Sequence, residues 1–124
     1  MLDMWEIATS ASFSAAHQLK GYPAECCQLH GHNFKVKVVI QTPELGTLGF
    51  GMDFKKLKRK LKETLNYFDH KNLNTLPEFS TINPTVENIS KIIWLRLSPQ
   101  IQKPNKLKRV QVWESDTSSA TYNE

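Results

Sequence analysis

Cysteine is scarce in this chain, and long apolar runs are missing. Only two of the 124 residues are cysteine, and they are neighbours, Cys26 and Cys27. Adjacent cysteines make a strained disulfide that closes no useful loop. A disulfide-stapled secreted scaffold is therefore excluded, and free thiols in a reducing cytosol are expected. The longest apolar stretches, Val36 to Ile40 and Ile92 to Leu97, fall far short of the roughly 20 residues that cross a bilayer. The opening residues, Met1 to Ile7, carry Asp3 and Glu6 and show neither the basic nor the apolar region of a secretion signal. A cytoplasmic protein without a membrane partner is the resulting expectation. Internal repeats, low-complexity segments and composition shifts are also lacking, so a single domain over residues 1–124 is expected.

What the chain does contain is ordinary globular composition, 40% hydrophobic and 23% charged, far from the signature of disorder. The formal charge of +4 favours anionic partners. Much of it sits in Lys55-Lys56-Leu57-Lys58-Arg59-Lys60-Leu61-Lys62, which reads as one solvated face of a helix. Nothing else supports nucleic-acid binding, and none is expected.

Trp5, Ile7, Thr9, Ala11 and Phe13 fall on one side of a period-two pattern and predict a long strand. His32, Phe34, Val36, Val38 and Ile40 predict a second, with lysines on its wet face. Asp53 is a good N-cap for a helix in which Phe54, Leu57, Leu61, Leu65 and Phe68 recur at spacings of three and four, opposite the basic face. After a loop from Asp69 to Asn83, Asn83 as N-cap and Pro84 at the first helical position predict a second helix that buries Val86, Ile89, Ile93 and Leu97 and stops at Ser98-Pro99. Leu107 to Trp113 and Ser118 to Tyr122 predict two more strands. The order ββααββ implies an α+β fold: a four-stranded antiparallel sheet with both helices on one face. Its edges would be bare, which points to assembly through them.

His30 and His32 flank Gly31, so at the start of an extended strand both rings project to one face. His17 ends the preceding strand, and if the two strands form a hairpin it arrives beside the pair. Three imidazoles with an open position are the pattern of a catalytic zinc. His-Gly-His alone is equally a polar strand end. Cys26 lies four residues before His30, where a loop can hold its sulfur near a metal without ligation. A thiolate stabilised by the cation could act as a general base; a buried, inert thiol fits Cys27 better, since only one of two adjacent side chains can face the site. Asp69 beside His70 can orient an imidazole for proton transfer; a helix-terminal His with Asp in the turn reads equally well. Glu114 ends a strand and could accept paired hydrogen bonds from a planar heterocycle, but alone it reads as a solvent-facing acid.

In combination these pieces resemble the 6-pyruvoyl-tetrahydropterin synthase superfamily from about Phe13 to Tyr122. The resemblance rests on Phe13-Ser14-Ala15-Ala16-His17, Cys26-Cys27-Gln28-Leu29-His30-Gly31-His32, Gly49 with Met52-Asp53-Phe54, Asp69-His70 with Leu73-Asn74, Asn83-Pro84-Thr85 with Glu87-Asn88, and Glu114 with Ala120 and Tyr122. It implies the tunnelling fold, in which trimers close their sheets into a barrel and commonly stack as homohexamers with sites between subunits. It also implies zinc held by His17, His30 and His32, Cys26 as catalytic thiol, and Asp69 with His70 as proton relay. Glu114 would anchor a pterin, and Thr85 and Glu87 would line or support the site. The spacing Cys-x-x-Leu-His-Gly-His resembles the 6-carboxy-tetrahydropterin synthase branch. That implies a lyase taking 7,8-dihydroneopterin triphosphate to 6-carboxy-5,6,7,8-tetrahydropterin, acetaldehyde and triphosphate in queuosine biosynthesis. Glu25, however, resembles a variant group that forms 6-hydroxymethyl-dihydropterin, and a pyruvoyl product is a further alternative. Ser115 stands where Thr is usual, and Gly51 where a bulkier apolar residue is common. From outside enzymology, a zinc-stabilised binding protein using the Lys55–Lys62 face would leave Cys26 without a role.

Overall fold

The structure, a computed structural model, describes residues 3–21 and 28–124. Strand β1 (Trp5–His17) and strand β2 (His30–Thr42) pair antiparallel along their whole length, from Trp5 opposite Thr42 to His17 opposite His30. Helix α1 (Phe54–Leu65), the two-residue strand β3 (Lys71–Asn72) and helix α2 (Val86–Leu97) follow, then strands β4 (Lys106–Ser115) and β5 (Ser118–Tyr122). The sheet order is β3-β1-β2-β4-β5.

The expected α+β architecture is present, with one correction. The sheet has five strands, because Lys71 and Asn72 add to β1 in parallel opposite Ala15 and Ala16. The segment expected to be a plain loop holds this strand and two 3-10 turns, Leu73–Thr75 and Pro77–Phe79. Two residues are too few to carry a period-two pattern, which is why the sequence does not announce β3.

One sheet face is apolar. Phe13 and Ala15 from β1, Phe34, Val36, Val38 and Ile40 from β2, and Val110 and Val112 from β4 are buried there with Leu57, Leu61 and Leu65 of α1 and Ile89, Ile93 and Leu97 of α2. Phe13 and Phe34 stack at 5.0 Å. Each fully buried side chain of this kind stabilises the fold by roughly 1.5–3 kcal/mol. The alternate residues Lys35 and Lys37 are exposed, as a half-buried antiparallel strand requires.

Asp53 caps α1 as expected, its carboxylate accepting from the Lys55 amide at 2.8 Å. The second helix starts two residues later than the Asn-Pro signal suggests. Thr85 is its N-cap, its hydroxyl accepting from the Asn88 amide at 3.1 Å. Asn83 is withdrawn from capping by other partners, described below. The helix stops at Leu97 with Ser98 as its C-cap, as the Ser98-Pro99 signal predicts, and a short 3-10 turn, Ser98–Gln100, follows.

Gly51 has a packing cause. A Cβ there would lie 2.4 Å from Cγ2 of Thr42 and 3.2 Å from Cδ1 of Ile7, and Thr42 is completely buried. Among the described residues, no helix is long and apolar enough to cross a membrane.

Candidate metal centre

The full-length pairing of β1 with β2 sets His17 opposite His30 and Ala15 opposite His32. Paired residues share a face, so all three imidazoles lie on the helix-covered side at one end of the sheet. Their ring centroids are 4.7, 5.2 and 4.8 Å apart. β4 delivers a fourth group. The ligand atoms of His17, His30, His32 and Glu114 all lie within 4.8 Å of one another.

The tautomers follow from the backbone. His17 is 1% exposed, and its Nδ1 lies 2.7 Å from the Pro84 carbonyl. A carbonyl only accepts, so Nδ1 carries a proton, and in the uncharged tautomer this leaves Nε2 as a bare lone pair. His30 is fixed the same way, its Nδ1 2.8 Å from the Gln28 carbonyl. For His32, burial pushes the imidazole below its ordinary pKa; His17 and His30 push the same way, and Glu114 opposes them.

Nε2 of His17 therefore faces Oε1 of Glu114 at 3.2 Å, and Nε2 of His32 faces the same oxygen at 3.5 Å. Neither buried nitrogen has a hydrogen-bond partner among the described residues. For His17 a lone pair pointed at a carboxylate oxygen is repulsive, and for both rings an unpartnered buried polar atom is costly. Protonating one ring would relieve one contact, but three imidazolium charges on one point would repel. One divalent cation at the point of convergence satisfies all four groups, and three imidazoles with a carboxylate suit zinc. The donor set fits the metal that the sequence suggested.

Side-chain amides hold the cluster in place. Beyond His17, Asn74 pairs with both backbone groups of Gln18, at 2.8 and 2.9 Å, and Asn83 does the same for Lys20, at 2.8 and 2.9 Å. Each amide mimics a neighbouring strand. With Asn83 so placed, Pro84 turns its carbonyl to His17. Asn74, Asn83 and Pro84 sit among the motif residues, but their clamping role has no local signature.

Asp69 and His70 lie in the turn that joins α1 to β3. The Ser14 amide donates to Oδ1 of Asp69 at 2.9 Å, and His70 Nδ1 lies 3.0 Å from Oδ2. These contacts, led by the Ser14 amide, hold the Asp69 carboxyl below the usual carboxylate range. His70 has φ 58°, a left-handed conformation that costs a non-glycine residue roughly 1–2 kcal/mol. Its amide donates to the Ser14 carbonyl at 2.6 Å, so the same turn that ends the helix sets the dyad beside β1. The ring is 83% exposed.

A groove of about 550 Å³ runs beside this end of β1 and β2, lined by Ser14, Gly31, His32, Asn33, His70 and Lys71 among others. The structure thus brings His17, His30, His32 and Glu114 to one point and sets Asp69-His70 along the adjoining groove. Thr85 is engaged as the α2 cap, and Glu87 is exposed in the first turn of that helix. Cys26, with Glu25 and Cys27, lies outside the described residues.

Residues 6–124 match the family described as 6-pyruvoyl tetrahydropterin synthase. The chain is 39% identical over 108 residues to a dihydroneopterin monophosphate aldolase of Pyrococcus furiosus, covering 86% of each chain. It is 37% identical over 124 residues to a 6-carboxy-5,6,7,8-tetrahydropterin synthase of Synechocystis, covering 96% of this chain and 93% of that one. The solved structure of Caenorhabditis elegans 6-pyruvoyl tetrahydropterin synthase superposes with a TM-score of 0.87 at 27% identity, covering 99% of this chain and 97% of the other.

Proposed function

Because the chain belongs to the 6-pyruvoyl tetrahydropterin synthase family, we propose that it is a zinc-dependent lyase converting 7,8-dihydroneopterin triphosphate to 6-carboxy-5,6,7,8-tetrahydropterin, acetaldehyde and triphosphate. The observation that carries this reading is the convergence of ring nitrogens of His17, His30 and His32 on one point, with His32 also lining the groove that His70 lines. The identity to the Synechocystis enzyme supports the product. A cytoplasmic role in the route to queuosine goes with it.

On this reading His17, His30 and His32 hold zinc, which supplies Lewis acidity toward the hydroxyls of the substrate side chain. Pro84 and Gln28 fix the ring orientations that make this possible. Asp69 accepts from Nδ1 of His70 and leaves Nε2 to take up or return a proton in the groove. Cys26 acts as the partner base. The exposure of His70 at the outer side of β1 suits service to a site completed by a neighbouring subunit, so a trimer or a dimer of trimers is part of the proposal. Glu114, Thr85 and Glu87 belong to the substrate side, Glu114 through its carboxylate and the other two through the start of α2.

A second reading has its own support. The Pyrococcus relative is named for an aldolase acting on dihydroneopterin monophosphate, and Glu25 offers this chain an alternative base beside Cys26. In that case 6-hydroxymethyl-dihydropterin is the product.

Mass-spectrometric product analysis of the zinc-loaded protein, given the triphosphate and the monophosphate of dihydroneopterin in turn, separates the two. Carboxy-tetrahydropterin and acetaldehyde from the triphosphate are expected. A hydroxymethyl product from the monophosphate transfers the assignment to the aldolase, and a pyruvoyl product removes the carboxy assignment.

A further inference from the structure

Glu114 departs from the regular ladder. β4 and β5 pair Trp113 with Ser119 and then Ser115 with Ser118, so Glu114 is an extra residue on its strand. Such a bulge re-aims a side chain at the end of a sheet. Here it aims a carboxylate into the histidine cluster. The spacing there is informative. A tetrahedral zinc with bonds of about 2.0–2.1 Å sets its ligand atoms roughly 3.3–3.5 Å apart, and Oε1 of Glu114 lies 3.2 and 3.5 Å from the Nε2 atoms of His17 and His32.

Three histidines and a carboxylate would close the coordination sphere, whereas catalysis needs an open position. The four groups are not held equally. His17 and His30 are each tied through Nδ1 to a backbone carbonyl. Glu114 accepts no hydrogen bond that fixes it among the described residues, and its side chain is 36% exposed against 2% for His17. The member that can leave at least cost is the carboxylate. Once released, its two oxygens are free for the paired N–H groups of a planar heterocycle.

We infer that Glu114 is an exchangeable ligand: it completes the metal's coordination in the substrate-free protein and transfers to the heterocycle of the substrate, opening the position that the substrate's hydroxyls then take. The inference rests on the zinc reading above. It gives one side chain two duties in sequence, and it makes opening of the metal depend on arrival of the correct ring. Without that ring the metal stays closed to water and to other ligands.

The test uses cobalt as a visible probe of coordination and neopterin as a ring that binds without turnover. Metal-stripped wild type, Glu114→Ala and Glu114→Gln are titrated with Co²⁺ against a competing chelator, and spectra are recorded before and after neopterin is added. Wild type should bind the metal at least about tenfold more tightly than either variant, an effect of the size seen when a group supporting a metal site is removed. Its spectrum should shift with neopterin toward that of the variants. Equal affinities and equal spectra in all three proteins would mean that the histidines alone hold the metal, which overturns the inference while the zinc reading stands. A wild-type spectrum untouched by bound neopterin overturns the exchange. Absence of Co²⁺ binding by wild type overturns the zinc reading and the inference with it.

Discussion

At the scale of single residues, two side chains separate metal holding from proton transfer. Cys26→Ala should abolish turnover and leave bound zinc unchanged, whereas His30→Ala should lose both. Elemental analysis beside an activity assay distinguishes them, and turnover retained by Cys26→Ala would remove the thiol from the mechanism. His70 offers a sharper dissociation. Its φ of 58° suits glycine, so His70→Gly should leave the melting temperature near or above that of wild type. Turnover should still fall by about 10²- to 10⁴-fold, the usual contribution of a general acid or base. A loss of stability matching the loss of activity would reduce His70 to a structural turn. The residue types that carry these roles are legible in the sequence. Their partners are not: the Pro84 carbonyl on His17 is 67 positions away, and no periodicity encodes such a contact.

Between elements, the joint of α1 and α2 is polar. Glu78, in the 3-10 turn Pro77–Phe79, accepts from the Tyr67 hydroxyl at 2.6 Å and from Arg96 at 2.6 Å. The Arg96 guanidinium lies 3.3 Å from the centre of the Tyr67 ring. Burial pushes the Glu78 carboxyl up, but Tyr67 and Arg96 outweigh it and hold it below the usual range. A carboxyl that titrates lower in the folded than in the unfolded chain stabilises fully above the unfolded value, about 4.3, and its contribution fades as pH falls through the folded value. Glu78→Gln should therefore cost about 1–2 kcal/mol at pH 7 and progressively less in acid. Urea titrations at pH 7 and pH 3 read the difference, and a cost unchanged between them would deny the ionic character of the joint. At the far end of the sheet Gly51→Ala should destabilise by about 1–3 kcal/mol, the range for overpacking, because Thr42 is short and buried and cannot yield; thermal melting checks it. For α1 the sequence signal holds at its cap and at Leu57, Leu61 and Leu65, but Phe54 is exposed and Phe68 lies in the turn beyond Leu65; for α2 the Asn83-Pro84 signal points two residues early because Asn83 spends its amide on Lys20. Sequence signals for capping assume a free side chain.

For the whole molecule, the outer edge of β1 is paired, among the described residues, only at Ala15 and Ala16, and β5 forms the opposite edge of the sheet. Phe50 and Phe54, 48% and 64% exposed, share a pocket with Trp5 and Leu45, an exposed apolar patch of the kind that marks interaction surfaces. Edges and patch together favour assembly. Light scattering coupled to size exclusion should report three or six times the mass of one chain. A monomer with full turnover would place the whole site, His70 included, within one subunit.

Element types, the face on which the three histidines project and the family resemblance were all determined by the sequence itself, because periodicity and motif spacing are local properties of a chain. Tertiary structure decided what joins distant segments. It supplied the carbonyl that fixes the His17 tautomer, the two-residue strand that sets the Asp69-His70 dyad beside β1, and the bulge that swings Glu114 from a solvent-facing strand end onto the histidines. Each depends on a contact between residues far apart in sequence, and the energy of such a contact is defined only once the fold has brought its partners together.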